Sequence, residues 1–285
     1  MELEKYRALV CVVETGSLSG AAGKLGYTPS AISRMIAALE EENGFTLFWR
    51  QRDGVRPTAA CEQLLPAVQE LLHCQNVCQQ ISAGIRGLQT GSVTVGTAYS
   101  ASYAWISEAA SDFHSQYPEI ELQIRGGYST QLLEALRARK VDLCFISERE
   151  GDHRWIPLQE DQVMAWIPKD SDLDKNGAVP VAAFAREPYI EIYPGMDIDN
   201  LRVLKACKVQ PNTRFSTMDS YAACAMVEAG LGITMNNGMN RPTVDDGIKI
   251  VPLDPPQKVM VGIAAMRDLS PAAERFLDFL LKKQR

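Results

Sequence analysis

The sequence predicts a mixed chain in three parts: a small helical head closed by a β-hairpin, one long connecting helix, and a larger α/β body. Three observations carry that expectation. Residues 3–43 hold three apolar runs at helical spacing, separated by turn residues. From Thr58 to about Leu88 a spacing of three or four continues with no strand signal. After Gly91 strand-like and helix-like runs alternate, which argues a mostly parallel sheet with covered faces. The 285 residues suffice for two or three domains, and 46% apolar with 22% charged residues is ordinary for a folded soluble chain.

In the head, Leu3, Tyr6, Leu9, Val10 and Val13 mark a first helix that Thr15-Gly16 ends. Ser17 is placed to cap a short second helix, Leu18 to Leu25, rich in small residues. Gly26-Tyr27 makes a tight turn. Thr28 then caps a third helix with Pro29 at its first position, where a missing N–H costs nothing. Ile32, Met35, Ile36 and Leu39 form its buried stripe, and Ser30, Ser33, Arg34 and Ala37 its opposite face. Short hydroxyls, one arginine and an alanine near the N-terminal end suit close approach, whereas Glu40-Glu41-Glu42 lie at the far end. Small residues in the second helix let the two pack through a short turn. This is a helix-turn-helix, whose second helix enters the major groove of double-stranded DNA. Phe45 to Thr58 then reads as two extended runs around Asp53-Gly54, a hairpin or wing whose arginines can reach phosphates. The candidate DNA contacts are Thr28, Pro29, Ser30, Ser33, Arg34, Arg50, Arg52 and Arg56. A winged helix built for protein contacts would show the same pattern.

The head resembles the LysR-type transcriptional regulators. The resemblance rests on Leu9–Gly16 with Ser17-Leu18-Ser19-Gly20-Ala21-Ala22, then Thr28-Pro29-Ser30-Ala31-Ile32-Ser33-Arg34. Ile36-Ala37-Ala38-Leu39-Glu40 and Gly44-Phe45-Thr46-Leu47-Phe48 with Arg50 continue it, and it extends more weakly along the rest of the chain. Arg56-Pro57-Thr58-Ala59-Ala60-Cys61 departs from the family's Leu-Thr-x-Ala-Gly, which bears on where the next helix starts. The resemblance implies a winged helix-turn-helix over 1–58, a linker helix over 59–90 and a two-lobed, periplasmic-binding-protein-like effector domain over 91–285. Lobe I would comprise 91–163 and 267–285, and lobe II 164–266, with strands crossing at about 163 and 266.

The connecting helix keeps Leu64, Val68, Leu71, Gln75, Cys78, Ile81, Ile85 and Leu88 in register, over a length of about 45 Å at ~1.5 Å per residue. A stripe that long pairs with another helix, most simply its own copy, giving a homodimer; packing on its own domain is the alternative. In the family the linker pairs antiparallel with its twin, and dimers or tetramers are implied. Pro66 is expected to kink the helix or mark its start.

In the body the expected strands are Ser92–Ala98, Ile120–Arg125, Val141–Ser147, Val163–Pro168, Tyr189–Tyr193, Gly232–Met235, Ile248–Leu253 and Val259–Met266. Helices fall at about 102–116, 129–139, 197–206, 218–229 and 271–283, the last opened by Ser270-Pro271. Ligands of such folds sit at the carboxyl ends of strands, where helix N-termini point. Tyr99–Tyr103 and Gly126–Gln131 are two such places, each offering backbone N–H groups and short hydroxyls to a carboxylate or similar anion. Ser100, Ser102, Tyr128, Ser129, Thr130 and Gln131 are therefore effector candidates, although Ser100 and Ser129 also read as ordinary caps. Ser100 and Tyr128–Gln131 match the family's effector-contact positions. Ser147 and Thr217, the latter with Met218-Asp219, are weaker candidates. Tyr99, Tyr128 and Trp166 could shape an aromatic pocket or fill the core, so the effector expected is a small carboxylate or aromatic metabolite. Gly230-Leu231-Gly232 follows a helix and lacks a phosphate-loop lysine, so it reads as a helix end leading into a strand.

Charge and cysteine usage bound the alternatives. The net charge of −6 lies entirely beyond residue 60; the first 60 residues balance seven basic against seven acidic groups. DNA binding then requires the head's cations on one face. No apolar run approaches the ~18–20 residues that span a bilayer, and the acidic, amphipathic start is unlike a secretory signal, so a cytoplasmic protein without membrane contact is expected. The seven cysteines are odd in number and form no CxxC, which reads as reduced thiols. Cys74 and Cys78 lie four apart, yet His73, His114 and His153 are too scattered to complete a metal site, so neither metal nor cofactor is expected. The same scarcity of a nucleophile–base pair argues against an enzyme. A redox sensor using Cys207 and Cys224, and a solute-binding protein with a helical appendage, are the competing readings.

Overall fold

A computed structural model describes residues 3–51, 54–87, 89–242 and 247–283. The chain forms two compact units, residues 1–88 and 89–285.

The first unit opens with α1 (Leu3–Thr15), α2 (Leu18–Leu25) and α3 (Pro29–Asn43). The expected caps are in place: Ser17 accepts from the Gly20 N–H and Thr28 from the Ala31 N–H. Gly26 and Gly44 end α2 and α3 in the left-handed conformation that costs glycine little. A hairpin of β1 (Phe48–Gln51) and β2 (Gly54–Pro57) follows. The Val55 N–H donates to Gly16 O at 2.9 Å, pinning the hairpin to the α1–α2 turn. A Cβ on Gly54 would lie 2.5 Å from that same oxygen.

The long helix α4 spans Ala59–Ile85 and starts immediately after Thr58, whose hydroxyl accepts from the Cys61 N–H and donates to Thr46 O at 2.8 Å. The departure from the family pattern there leaves the cap intact. Pro66 sits inside the assigned helix, where its missing N–H removes the ladder bond to Glu62. The α4 stripe divides: Cys61 and Val68 are buried in the core of the first unit with Leu9, Ile32, Ile36, Leu39 and Leu47, and Leu64 and Leu72 pack against it. Ile81 and Ile85 are 50% and 83% exposed. Packing on the head therefore takes the first turns, and only the far end presents an open apolar edge.

The second unit is built on β3 (Gly91–Thr97), α5 (Ser102–Gln116), β4 (Ile120–Gly126), α6 (Ser129–Arg137), β5 (Leu143–Ser147) and β6 (Arg154–Pro168). Then come β7 (Val179–Pro180), β8 (Tyr189–Ile192), α7 (Asp199–Ala206), β9 (Thr213–Thr217), α8 (Ser220–Glu228), β10 (Thr234–Asn237), β11 (Ile248–Ala265) and α9 (Pro271–Lys283). The main sheet runs β10-β6-β11-β5-β3-β4, and β8 pairs with β9 beside it. Strands β4, β3 and β5 are parallel, as the βα alternation requires; β11 is antiparallel to both β5 and β6.

Two lobes result. Lobe I packs α5 and α9 on one face, around Phe113, Phe145, Ile263 and Phe276, and α6 on the other, around Leu132, Leu136 and Ile146. Lobe II gathers Ala165, Ile167, Phe184, Tyr189 and Met235 on one side and Trp166, Ile190, Ala223 and Val227 on the other. The continuous antiparallel ribbon β6–β11 runs through both lobes. The return crossing comes earlier than the expected 266: Val261–Ala265 already pair with β5, and Ile263 and Ala265 lie in the lobe I core. The two strands expected at 248–253 and 259–266 are one strand, interrupted by a register shift between Pro252 and Gln257. Strand β9 and the first half of β6 were not foreseen; β9 is exposed along most of its length and lacks alternation.

Candidate nucleic-acid interface and ligand cleft

Helix α3 buries Ile32, Ile36 and Leu39 and leaves Thr28, Pro29, Ser30, Arg34 and Ala37 exposed, with Ser33 half-buried. That is the division its spacing predicts. The Thr28 hydroxyl lies 3.0 Å from that of Ser30 and is also engaged by the Ala31 N–H, so Thr28 fixes the helix start while Ser30 and Arg34 face out. Glu40 turns inward and accepts from the Leu47 and Phe48 N–H groups at 2.6 and 3.3 Å. Glu42 pairs with Lys5, and Glu14 with Lys24. Several of the head's acids are thus neutralised within it, and Arg34, Arg50 and Arg56 form no ion pair among the described residues.

The wing arginines do not share one face. Arg56 stands opposite Trp49 in the hairpin, and Arg50 opposite Val55, so the two project to opposite sides. Arg50 reaches back to the Ser33 hydroxyl at 3.5 Å and joins the α3 face; Arg56 is exposed beside Trp49, itself 59% exposed. Trp49 was not singled out from sequence, although an aromatic on a solvent-facing strand position is the available signal. Arg52 lies outside the described residues.

In the second unit a cleft of about 710 Å³ opens between the lobes. Lobe I contributes Ser100, Tyr103, Tyr128, Ser129, Gln131 and Arg149, and lobe II contributes Trp166, Tyr193, Asp199, Asn200, Asp219 and Tyr221 among others. The floor is a buried polar network. Asp199 Oδ1 accepts from Ser147 Oγ and from Arg149 Nη2, both at 2.8 Å. Arg149 Nη1 donates to Ser147 Oγ at 2.7 Å, and the Ser129 and Ser147 hydroxyls are 3.0 Å apart. The ion-paired Arg149 and Asp199 side chains are 5% and 4% exposed.

The predicted effector residues divide accordingly. Tyr128, Ser129, Gln131 and Ser100 line the cleft. Ser147 is buried in the network, and Thr130 donates to Asp197 O at 2.7 Å, so both tie lobe to lobe. Ser102 departs from its expected role: it is buried, with its hydroxyl 2.5 Å from Thr97 Oγ1, and lines a separate apolar cavity of about 330 Å³. Thr217 is also outside the cleft lining; its hydroxyl accepts from the Asp219 N–H, and Asp219 lines the cleft instead. In the first of the two segments the backbone N–H groups expected to be free for an anion are engaged, Ser100 by Asn240 Oδ1 at 2.8 Å and Ala101 by Met239 O at 3.0 Å. Sequence reasoning missed Arg149, Asp199, Asn236, Asn237 and Asn240; polar residues at a strand's carboxyl end, as in Asn236-Asn237, were the available signal.

Two buried donors belong to side chains of the cleft wall. Trp166 Nε1 has no hydrogen-bond partner among the described residues, and Tyr99 Oη lies beside the Ser129 and Ser147 hydroxyls; both side chains line the cleft at 1% exposure. Burial, then the nearby Asp199 charge, push the Tyr99 hydroxyl well above the usual tyrosine range, so it stays a neutral donor. Tyr193 likewise is raised by burial and then by Asp219; its ring lies 5.4 Å from that of Tyr128, and its backbone is left-handed at φ +51°. A concave, aromatic-lined space with a few polar groups on its walls is suited to a small ligand.

Among the described residues no group of His, Cys, Asp and Glu could hold a metal ion, and no helix is long and apolar enough to cross a membrane. Cys207 packs against one lobe II core and Cys224 lies in the other.

Residues 3–62 match the model of the bacterial regulatory helix-turn-helix proteins of the lysR family, and residues 86–285 match that of the LysR substrate binding domain. GltC of Bacillus subtilis, a transcriptional dual regulator, is 27% identical across 99% of this chain and 97% of its own. A full-length OxyR from Pseudomonas aeruginosa superposes with a TM-score of 0.72 at 20% identity, covering 100% of this chain and 95% of that one. Full-length CbnR, solved with its target DNA, gives 0.62 at 17% identity over the whole of both chains. With both family models matched across nearly its whole length, the chain belongs to the LysR-type transcriptional regulators, DNA-binding proteins that carry an effector-binding domain.

Proposed function

We propose that α3 and the hairpin form the DNA-reading surface, with Ser30, Ser33 and Arg34 meeting base edges and Arg50 and Arg56 meeting phosphates on either side. Thr28 and Pro29 set the helix start that brings them there. The carrying observation is the exposed N-terminal face of α3, free of acidic side chains over its first three turns. The protein acts as a homodimer or dimer of dimers joined through the exposed apolar end of α4, so its operator is an interrupted palindrome. A small effector binds between the lobes of residues 91–285, contacting Ser100, Tyr128, Ser129, Gln131 and the aromatic walls, and changes their closure. We read the protein as a cytoplasmic regulator and not an enzyme. A redox switch joining Cys207 to Cys224 finds no support, since the two side chains pack in different cores.

Selection of bound duplexes from a random DNA library by the full-length protein tests this reading. Enrichment of a two-fold related motif, with log K falling by about 0.9 per contacted phosphate per tenfold rise in salt, is expected. Retention of random DNA without enrichment would sink it.

A further inference from the structure

The innermost end of the cleft has the makings of an anion pocket, and the protein has put an anion of its own there. Ser129 begins α6 and Ser147 ends β5; both are lobe I residues, each 5% exposed or less. Arg149, also of lobe I, points its guanidinium at the same spot and donates to Ser147 Oγ and to the Glu148 carbonyl. The acceptor on which Ser147 Oγ and Arg149 Nη2 converge, each at 2.8 Å, is a carboxylate oxygen that comes from the opposite lobe, on the first residue of α7. Two convergent donors, one of them a buried guanidinium, are the fittings of a site for a small carboxylate. A carboxylate side chain crossing between lobes to occupy them is a tethered ligand.

We propose that Ser129, Ser147 and Arg149 form a carboxylate-binding pocket that the protein fills with its own Asp199, so that an exogenous carboxylate enters only by displacing that side chain. The inference rests on the interlobe cleft being the effector site and deepens it. Displacement would leave Arg149 paired to the ligand instead of to lobe II, and would cut the buried tie between lobes. A carboxylate effector would thereby exchange a contact within the protein for one with itself, which is differential binding to two lobe arrangements. An effector that leaves Asp199 in place would use the rest of the cleft lining, Ser100, Gln131 and the aromatic walls.

Chemical rescue tests the assignment. Asp199→Ala removes one carboxylate and leaves room for formate; Asp199→Gly removes the methylene as well and admits acetate. Thermal unfolding of the full-length protein would be followed in sodium formate or acetate against sodium chloride at equal ionic strength. Wild type is expected to show no saturable rise in Tm. Asp199→Ala should respond to formate more than to acetate, Asp199→Gly to both, and adding Arg149→Gln should abolish each response. If Asp199→Ala lacks a cooperative transition in chloride, formate should restore one. A saturable response of wild type that is lost in Ser129→Ala, or no response of the Ala and Gly variants, folded or not, overturns the proposal. The readout requires neither the natural effector nor DNA, so failure of the DNA-selection experiment and failure here are separate results.

Discussion

His153 is buried beside Trp155, and its Nδ1 has no hydrogen-bond partner among the described residues. Burial first, and then the charge of Arg137, hold its imidazole below the usual 6.5. The unfolded chain takes a proton near 6.5, whereas the folded chain takes it only at lower pH. The unfolded state therefore binds more protons in that window, and stability should fall as pH drops below 6.5. Urea unfolding on either side of that pH should show the loss, and His153→Gln should shrink it. Thr58 offers a second test, because its buried hydroxyl both caps α4 and donates to Thr46 O. Thr58→Ala should cost about 1–2 kcal/mol of unfolding free energy in urea titration, and Thr58→Ser much less. On the DNA face, Arg34→Ala should lose about 1–3 kcal/mol on the selected sequence and relax specificity, while Arg56→Ala should weaken all sequences alike and lower the salt slope by about 1. Fluorescence anisotropy across a salt series separates the two.

Elements whose limits are set by local chemistry were readable in advance. Ser17 and Thr28 cap α2 and α3 where the sequence places them, and Ser270-Pro271 opens α9 as expected. The Gly230 turn after α8 is likewise a helix end, left-handed at φ +74°, and not a phosphate loop. Elements that owe their form to distant partners were not readable. The first half of β6 is a strand because β11 lies alongside it from Arg154 to Gln162, a pairing over about a hundred residues of separation that no local pattern announces. The hairpin was legible, but its attachment to Gly16 was not. Gly54→Ala, which would drive a Cβ into Gly16 O, should lower the urea midpoint and weaken DNA binding together; an unchanged midpoint would show that the hairpin yields without cost.

For the whole molecule, the order of head, long helix and α/β body followed from the change of hydrophobic period along the chain, whereas the division of the body into two lobes was implied only by the family resemblance. The inner wall of the cleft did not, because Arg149 and Asp199 are 50 positions apart, and Ser100 and Asn240 are 140 apart. The sequence names donors without saying which of them the fold has already matched, and so Ser129 and Ser147 read as open when they are engaged. At the scale of assembly, Ile81→Glu with Ile85→Glu should shift the protein toward monomer in sedimentation velocity, without changing the fold by circular dichroism. The ribbon β6–β11 sets how the body can move. Because both strands pass from one lobe to the other, any change in lobe closure must bend or twist the strip they form. The strip's register slips, at Pro252/Gln257 and Val261/Gly262, are where such distortion would gather. Stiffening or loosening those two slips should therefore retune the response to an effector without touching any residue that meets it.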